Sequence, residues 1–100
     1  MQGDIRYVYL EFTESAKRHF FRIYNEFQES VSDIDRKYDE NVFQVNRARY
    51  TSLLRQKLEL SAKNIIDRYD GTEEAGRLRI NFTESISYFL KEFARKSKML

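Results

Sequence analysis

The chain has 100 residues, of which 41% are hydrophobic and 15% aromatic, and its formal net charge at pH 7 is +2. This length predicts one domain over residues 1–100, and the apolar share excludes wholesale disorder. Without cysteine the chain cannot form disulfides, cysteine-based zinc sites or thiol nucleophiles. The N-terminal segment does not resemble a signal peptide, and no apolar stretch has the length of about 18 residues that crosses a membrane. We therefore expect a cytoplasmic protein with no membrane partner.

The residue pattern in the first part of the chain predicts long helices. Proline is absent from the whole sequence, and glycine is absent between residues 4 and 70. Apolar side chains here recur at steps of three and four, which is typical of one helical face. We predict a first helix at about 4–39 that ends near Asn41, because asparagine tolerates the left-handed conformation that ends helices. An alternative is one continuous rod from about 4 to 69.

The second helix is predicted at about 42–69 and is apolar along two lines. The first line comprises Phe43, Tyr50, Leu54, Leu58, Ile65 and Tyr69. The second line comprises Val42, Val45, Leu53 and Leu60. So wide an apolar arc predicts that this helix packs against two partners. Gly71 is expected to end the helix, and Thr72 to cap the next one.

The third helix is predicted at about 73–98, where another apolar line repeats at helical spacing and basic residues gather at the end. Three helices of this length with short connections predict an all-α antiparallel bundle of three long helices, which can dimerise into a larger bundle.

Two segments leave a local alternative open. Residues 5–12 and 77–82 also have strand propensity, and each is followed by Thr-Glu-Ser, a plausible helix start. We favour helix because the three-four spacing runs through both segments. Residues 10–15 also match residues 80–85 at an offset of 70, which similar packing of the first and third helices would explain.

No arrangement of side chains in the sequence predicts catalysis. His19 is the single histidine, and it lies beside Phe20 on the apolar side of the first helix. No histidine-carboxylate pair, second histidine or glycine-rich phosphate loop accompanies it. We therefore expect no enzymatic activity, no metal and no cofactor, and we interpret His19 as a partly buried, hydrogen-bonded residue.

Apolar residues outside the main helical lines are the candidate interaction site. They are Tyr7, Leu10 and Phe21 on the first helix and Val45, Leu53 and Leu60 on the second. A slender bundle exposes much helix surface, and twofold pairing is the commonest way to bury one side. The sequence thus predicts a non-enzymatic helical protein–protein interaction module, either a homodimer or a small subunit of an assembly, whose partner is itself or another protein.

The segment 47–57 supports an alternative function, nucleic-acid binding. Its bases are Arg47, Arg49, Arg55 and Lys57, and residues 41–69 hold six bases against two acids, a net charge of +4. In a hairpin that turns near Asn41, this segment would instead face the acids of the first helix. These acids are Glu26, Glu29, Asp33, Asp35 and Asp39. We favour this intramolecular pairing over contact with nucleic acid.

Overall fold

The protein is built from three long α-helices, as a computed structural model that describes residues 5–100 shows. They are α1 (Ile5–Ser30), α2 (Arg36–Ile66) and α3 (Glu73–Lys98), and a short 3-10 helix (Asp67–Tyr69) follows α2. Residues 5–100 contain no strand. The predicted all-α three-helix bundle is confirmed, whereas the predicted helix start near residue 4 lies outside the described residues.

Contacts between the helices establish their directions. Ser15 contacts Ser61 and Phe27 contacts Phe43, so residue numbers on α2 fall as those on α1 rise. The rings of Phe12 and Phe82 stack with centroids 4.3 Å apart, and those of Phe20 and Phe89 lie 6.0 Å apart, so α1 and α3 run parallel at an offset of about 70 residues. The contact between Phe12 and Phe82 places the matching segments 10–15 and 80–85 side by side, as similar packing requires.

The bundle is a rod rather than a sphere, with principal extents of 59 × 17 × 17 Å and a radius of gyration of 16.2 Å. A compact domain of this length would have a radius of gyration of about 13 Å. No helix within residues 5–100 has both the length and the hydropathy that crossing a membrane requires. The elongated shape leaves one side of every helix facing away from the shared core.

The two segments with strand propensity are helical. Val8 and Phe12 are buried, while Leu10 between them is exposed. In the second segment Leu78 and Phe82 are buried, and Ile80 is exposed. The spacing of three and four residues places one line of apolar side chains from each segment in the core. This packing outweighs the local strand propensity.

The connection between α1 and α2 differs from its predicted position. The chain turns at residues 31–35 rather than near Asn41. The Ser30 hydroxyl donates to the Phe27 carbonyl (2.8 Å), and the Asp35 carboxylate accepts from the Lys37 amide (3.0 Å) as the cap of α2. Serine and aspartate compete in this way with the helical backbone bonds and favour turns and caps. The apolar spacing does not reveal this turn, because Val31 and Ile34 still pack on the core and continue the spacing through it.

Neither the predicted end near Asn41 nor the continuous rod from 4 to 69 is correct, because α2 runs through Asn41 from its own start at Arg36. The backbone does depart from helical geometry at Asp39, where φ is −123° and ψ is 40°. α2 therefore carries a kink close to the place where the sequence predicted a helix end.

The connection between α2 and α3 contains Gly71, the predicted helix stop, in the left-handed conformation with φ of 80°. α2 ends at Ile66 instead of residue 69, since the last turn tightens into the 3-10 helix. Thr72 occupies the cap position of α3 with extended backbone, but its hydroxyl donates back to the Tyr69 carbonyl and does not accept from an α3 amide.

Candidate interaction surface

The structure places five of the six predicted interaction residues on the surface. They are Tyr7, Leu10, Phe21, Val45 and Leu60. Leu53 differs, because it is partly buried and packs on the core. Leu53 is therefore in large part a core residue of α2 and offers little surface to a partner.

These predicted residues do not form one surface. Phe21 lies beside Tyr88 and Phe89 where α1 meets α3. Leu53 lies beside Glu26 and Tyr50 where α2 meets α1. The apolar lines of α1 and α2 thus face different sides of the bundle, and a single partner surface cannot cover both equally.

Four aromatic rings cross the boundary between α1 and α3 in one continuous series, here named the aromatic row. Phe21 meets Phe20 edge-on with ring centroids 5.8 Å apart, and Phe20 lies 6.0 Å from Phe89. Phe89 in turn meets Tyr88 edge-on at 5.4 Å. These distances lie within the 4.5–7 Å range of favourable aromatic pairs, so each ring supports the next.

The aromatic row has a buried centre and two exposed ends. Phe20 is 5% exposed, whereas Phe21 is 57% and Tyr88 55% exposed. The row forms the floor and walls of a groove of about 190 Å³, which is also lined by Lys17, Glu92 and Lys96. We name this feature the α1/α3 groove.

The edges of the α1/α3 groove carry charges of both signs. The Lys96 ammonium lies 5.7 Å from the Phe20 ring centroid and 5.9 Å from that of Tyr24. The Glu92 carboxylate accepts a hydrogen bond of 2.8 Å from Arg95. The groove therefore combines an apolar floor with polar edges, which is the usual composition of a protein interface.

Sequence patterns pointed to one end of the aromatic row and missed the other. Phe21 stands out because it falls off the main line of α1, while Phe89 belongs to the main apolar line of α3. Tyr88 adjoins that line and lies outside the predicted interaction residues. The sequence contains two pairs of adjacent aromatic residues, Phe20-Phe21 and Tyr88-Phe89. This similarity is the sequence signal that could identify Tyr88.

Arg47, a candidate for nucleic-acid contact, is held within the molecule. Its Nε donates to Oγ of Ser97 (2.7 Å), and its Nη2 donates to the Ala94 carbonyl (2.6 Å). A helix ends with carbonyls that lack partners, and a cation there also interacts favourably with the helix dipole. Arg47 therefore stabilises the C-terminal end of α3.

The other three bases of the segment 47–57 point to different sides. Arg55 lines a shallow surface with Arg47, whereas Arg49 lies near Glu26 where α2 meets α1. No ion pair within residues 5–100 joins this segment to the acids of α1 or the following turn. The predicted facing charges therefore do not form ion pairs, because the turn at 31–35 shifts the two helices relative to the predicted hairpin.

Lys57 instead belongs to a positive cluster around His19. The His19 ring lies 3.4 Å from the Arg22 guanidinium, measured from Nδ1 to Nη2. Burial lowers the pKa of His19 below its ordinary 6.5, and the charges of Arg22, Lys57 and Arg18 lower it further. His19 is therefore neutral at pH 7.

Within residues 5–100 no group of three or more histidine, cysteine, aspartate or glutamate side chains is arranged to hold a metal ion. No family model, curated protein or solved structure matches the chain significantly.

Proposed function

We propose that the protein is a non-enzymatic helical interaction module that binds another protein chain through the α1/α3 groove. The observation that carries this proposal is the aromatic row, whose two ends are large apolar side chains more than half exposed. Exposed aromatics that adjoin a groove are the residues enriched at the centre of protein interfaces, where a few of them supply most of the binding energy.

Photo-crosslinking in cells tests the proposal. Phe21 and Tyr88 are replaced one at a time by a photoreactive phenylalanine analogue, with Val45 and Leu60 on α2 as matched exposed controls. We expect both groove positions to give the same discrete adduct and the α2 positions to give none. Equal adducts at all four positions, or adducts at the α2 positions alone, would overturn the proposed surface.

Nucleic-acid binding is a second candidate function, favoured by the positive cluster of Arg18, Arg22 and Lys57 around His19. Phosphate contacts weaken log-linearly with salt, with a slope of about −0.9 per contact on duplex DNA. Binding of a DNA duplex is measured from 50 to 200 mM salt. The triple change of these bases to glutamine is expected to flatten the slope, and an unchanged slope would eliminate this cluster as the binding site.

We also propose that the module works in the cytoplasm. A chain without cysteine forms no disulfides, so its folding does not require an oxidising compartment. Fractionation with an antibody to the native protein tests this location, and recovery of the protein outside the cytoplasmic fraction would contradict it.

A further inference from the structure

We propose that His19, Arg22 and Lys57 form a binding site for a single, doubly charged phosphate group, and that the group binds together with a proton on His19. The site lies where α1 meets α2, on a different side of α1 from the α1/α3 groove. The inference therefore does not depend on the proposed interaction surface. It also differs from the second candidate function, because its ligand is one phosphate group and not the backbone of a nucleic acid.

The register between α1 and α2 brings Lys57 to the height of His19. The hydroxyls of Ser15 and Ser61 lie 2.8 Å apart across the boundary between these antiparallel helices. His19 follows Ser15 by four residues, and Lys57 precedes its own neighbour at the boundary by four. Residues four apart share one side of a helix and are separated by about 6 Å along its axis. His19 and Lys57 therefore face each other, and both are partly buried.

Arg22 approaches His19 from the next turn of α1. Its guanidinium donates to the imidazole, with 3.4 Å between Nη2 and Nδ1. A guanidinium has donors alone, so Nδ1 must accept, and the proton of neutral His19 is then on Nε2. Protonation of Nδ1 replaces this acceptor with a second donor. The two N–H groups can then donate together to an oxygen atom of an anion that lies against them.

The cations of this site have no carboxylate partner. None of Arg18, Arg22 and Lys57 takes part in an ion pair within residues 5–100. Burial lowers the pKa of His19, and the charges of Arg22 and Arg18 on α1 and of Lys57 on α2 lower it further. Among the described residues no acidic side chain, and no charge of α3, acts on this pKa. A bound anion would reverse the effect, because an opposite charge nearby favours the charged form of a group.

The donor set favours phosphate over a carboxylate. The imidazole, the guanidinium and the ammonium belong to two helices and approach the site from different directions. A carboxylate has two oxygens and one charge, whereas a phosphate monoester has three acceptor oxygens and a charge of about −1.5 to −2. Arginine also matches phosphate with two parallel hydrogen bonds. A phosphate group can therefore accept from all three side chains at once.

Acidic side chains limit the site at both ends along α1. Glu14 lies one turn before Arg18, and Glu26 lies one turn after Arg22. The positive segment between them is about 6 Å long, at 1.5 Å per residue. A nucleic-acid strand along this boundary would bring further phosphates to the two carboxylates, where like charges repel. A single phosphate group fits between them.

NMR titration of the His19 imidazole tests the coupling between anion and proton. Sulfate is the probe because it stays doubly charged throughout, whereas a phosphate monoester itself titrates near pH 6. The pKa of His19 is followed with rising sulfate and with chloride at equal ionic strength, which reproduces screening alone. We expect sulfate to raise the pKa further than chloride does, and to bind the protonated protein about tenfold more tightly than the neutral one. Equal effects of the two salts would overturn the site.

Substitutions show whether the three side chains act together. Arg22→Gln and Lys57→Gln should each weaken sulfate binding about fivefold at low pH, the upper range for an exposed charge contact. Lys91→Gln, an exposed lysine of α3 with the same change of charge, is the control. His19→Gln should keep the affinity measured at about pH 8 and lose the gain at about pH 5.5. Affinity that still rises on acidification in His19→Gln contradicts its role, and circular dichroism verifies folding.

Two phosphate esters identify the form of the ligand. Methyl phosphate is a monoester that can carry two charges, and dimethyl phosphate is a diester with one charge, like the nucleic-acid backbone. We expect methyl phosphate and inorganic phosphate to bind about tenfold more tightly than dimethyl phosphate, because the second charge adds an attraction to each cation. The tighter of the two shows whether the natural group is esterified or free. Equal binding of dimethyl phosphate would contradict a site for a doubly charged group.

The possible failures separate this inference from the proposed functions. Binding of duplex DNA with a steep salt slope, without binding of sulfate or methyl phosphate, overturns the single-phosphate site and supports the nucleic-acid candidate. Absence of sulfate binding in a protein that still forms groove adducts at Phe21 and Tyr88 overturns the site and leaves the interaction module standing.

Discussion

Arg47 of α2 donates a hydrogen bond of 2.7 Å to the hydroxyl of Ser97, a fully buried polar side chain of α3. The same guanidinium donates to the Ala94 carbonyl, and Arg36 donates to the Lys98 carbonyl (3.0 Å). Two arginines of α2 thus satisfy polar groups at the end of α3, where a helix has no backbone donors of its own.

Loss of the Arg47 contacts is expected to destabilise the protein. Arg47→Met should lower the free energy of unfolding by about 1–2 kcal/mol, toward the lower end of the roughly 1.5–3 kcal/mol of hydrogen bonds to charged groups, because Arg47 is partly exposed. Urea denaturation measures this change, with Arg49→Met on the same helix as the control. Ser97→Ala should cost less in the Arg47→Met background than in the wild type, and strictly additive effects would show that the two residues are not coupled.

The stacked pair Phe12 and Phe82 is expected to dominate stability at its end of the bundle. Both rings are buried, and Phe12→Ala should cost about 3–5 kcal/mol, a large part of the roughly 5–15 kcal/mol available to a domain. Leu10→Ala, two residues away and exposed, should change stability by at most about 0.5 kcal/mol. Thermal and urea unfolding of the two variants compare them directly, and equal losses would contradict the packing described for α1.

Two glycines should respond with opposite signs to the same substitution. Gly71→Ala is expected to destabilise by about 1–2 kcal/mol, because φ of 80° places a Cβ in the left-handed region. Gly76→Ala should stabilise by about 0.5–1 kcal/mol, since Gly76 lies in α3 and a Cβ there meets open space. Urea midpoints measure both changes. Stabilisation by Gly71→Ala would contradict the connection between α2 and α3.

The pKa of His19 should depend on Lys57. The change Lys57→Gln removes one of the positive charges that lower this pKa, so the value should move up toward 6.5. NMR titration of the imidazole measures it without ambiguity because the chain has one histidine. Arg49→Gln is the control, and an unchanged pKa after Lys57→Gln would show that Lys57 does not approach His19.

The same lowered pKa predicts how stability changes with pH. The folded protein holds the His19 proton less tightly than the unfolded chain, so folding releases a proton between the folded pKa and 6.5. The free energy of unfolding therefore rises with pH between the folded pKa and 6.5. Below the folded pKa the contribution of neutral His19 is absent. His19→Gln should abolish this rise, as urea unfolding at a series of pH values will show.

Glu40 should contribute stability that disappears in acid. Hydrogen bonds from Arg36 and then Gln44 lower the pKa of Glu40 from 4.5 to about 2. A lowered carboxyl pKa gives stability that is present above about pH 4.5 and is lost as pH falls toward 2. The stability difference between wild type and Glu40→Gln should follow this course in urea unfolding. A difference that persists unchanged at pH 2 would contradict the bidentate contact with Arg36.

The sequence by itself determined the helical class and the content of the core. The spacing of residues such as Val8, Phe12, Leu78 and Phe82 is a local property of the chain, because a helix brings every third or fourth side chain to one side wherever it forms. The stop at Gly71 was predictable for the same reason, since the left-handed conformation is a property of one residue.

The tertiary structure alone decided the turn at residues 31–35, the role of Arg47 and the composition of the α1/α3 groove. The apolar spacing passes through Val31 and Ile34 without interruption because both side chains pack on the core, so the spacing does not reveal the turn that the Ser30 and Asp35 hydrogen bonds mark. Arg47 meets Ser97 across 50 positions of the chain, and Phe20 meets Phe89 across 69. Such contacts depend on the relative height of two helices, which interlocking side chains of both helices set together and which no pattern within one helix contains.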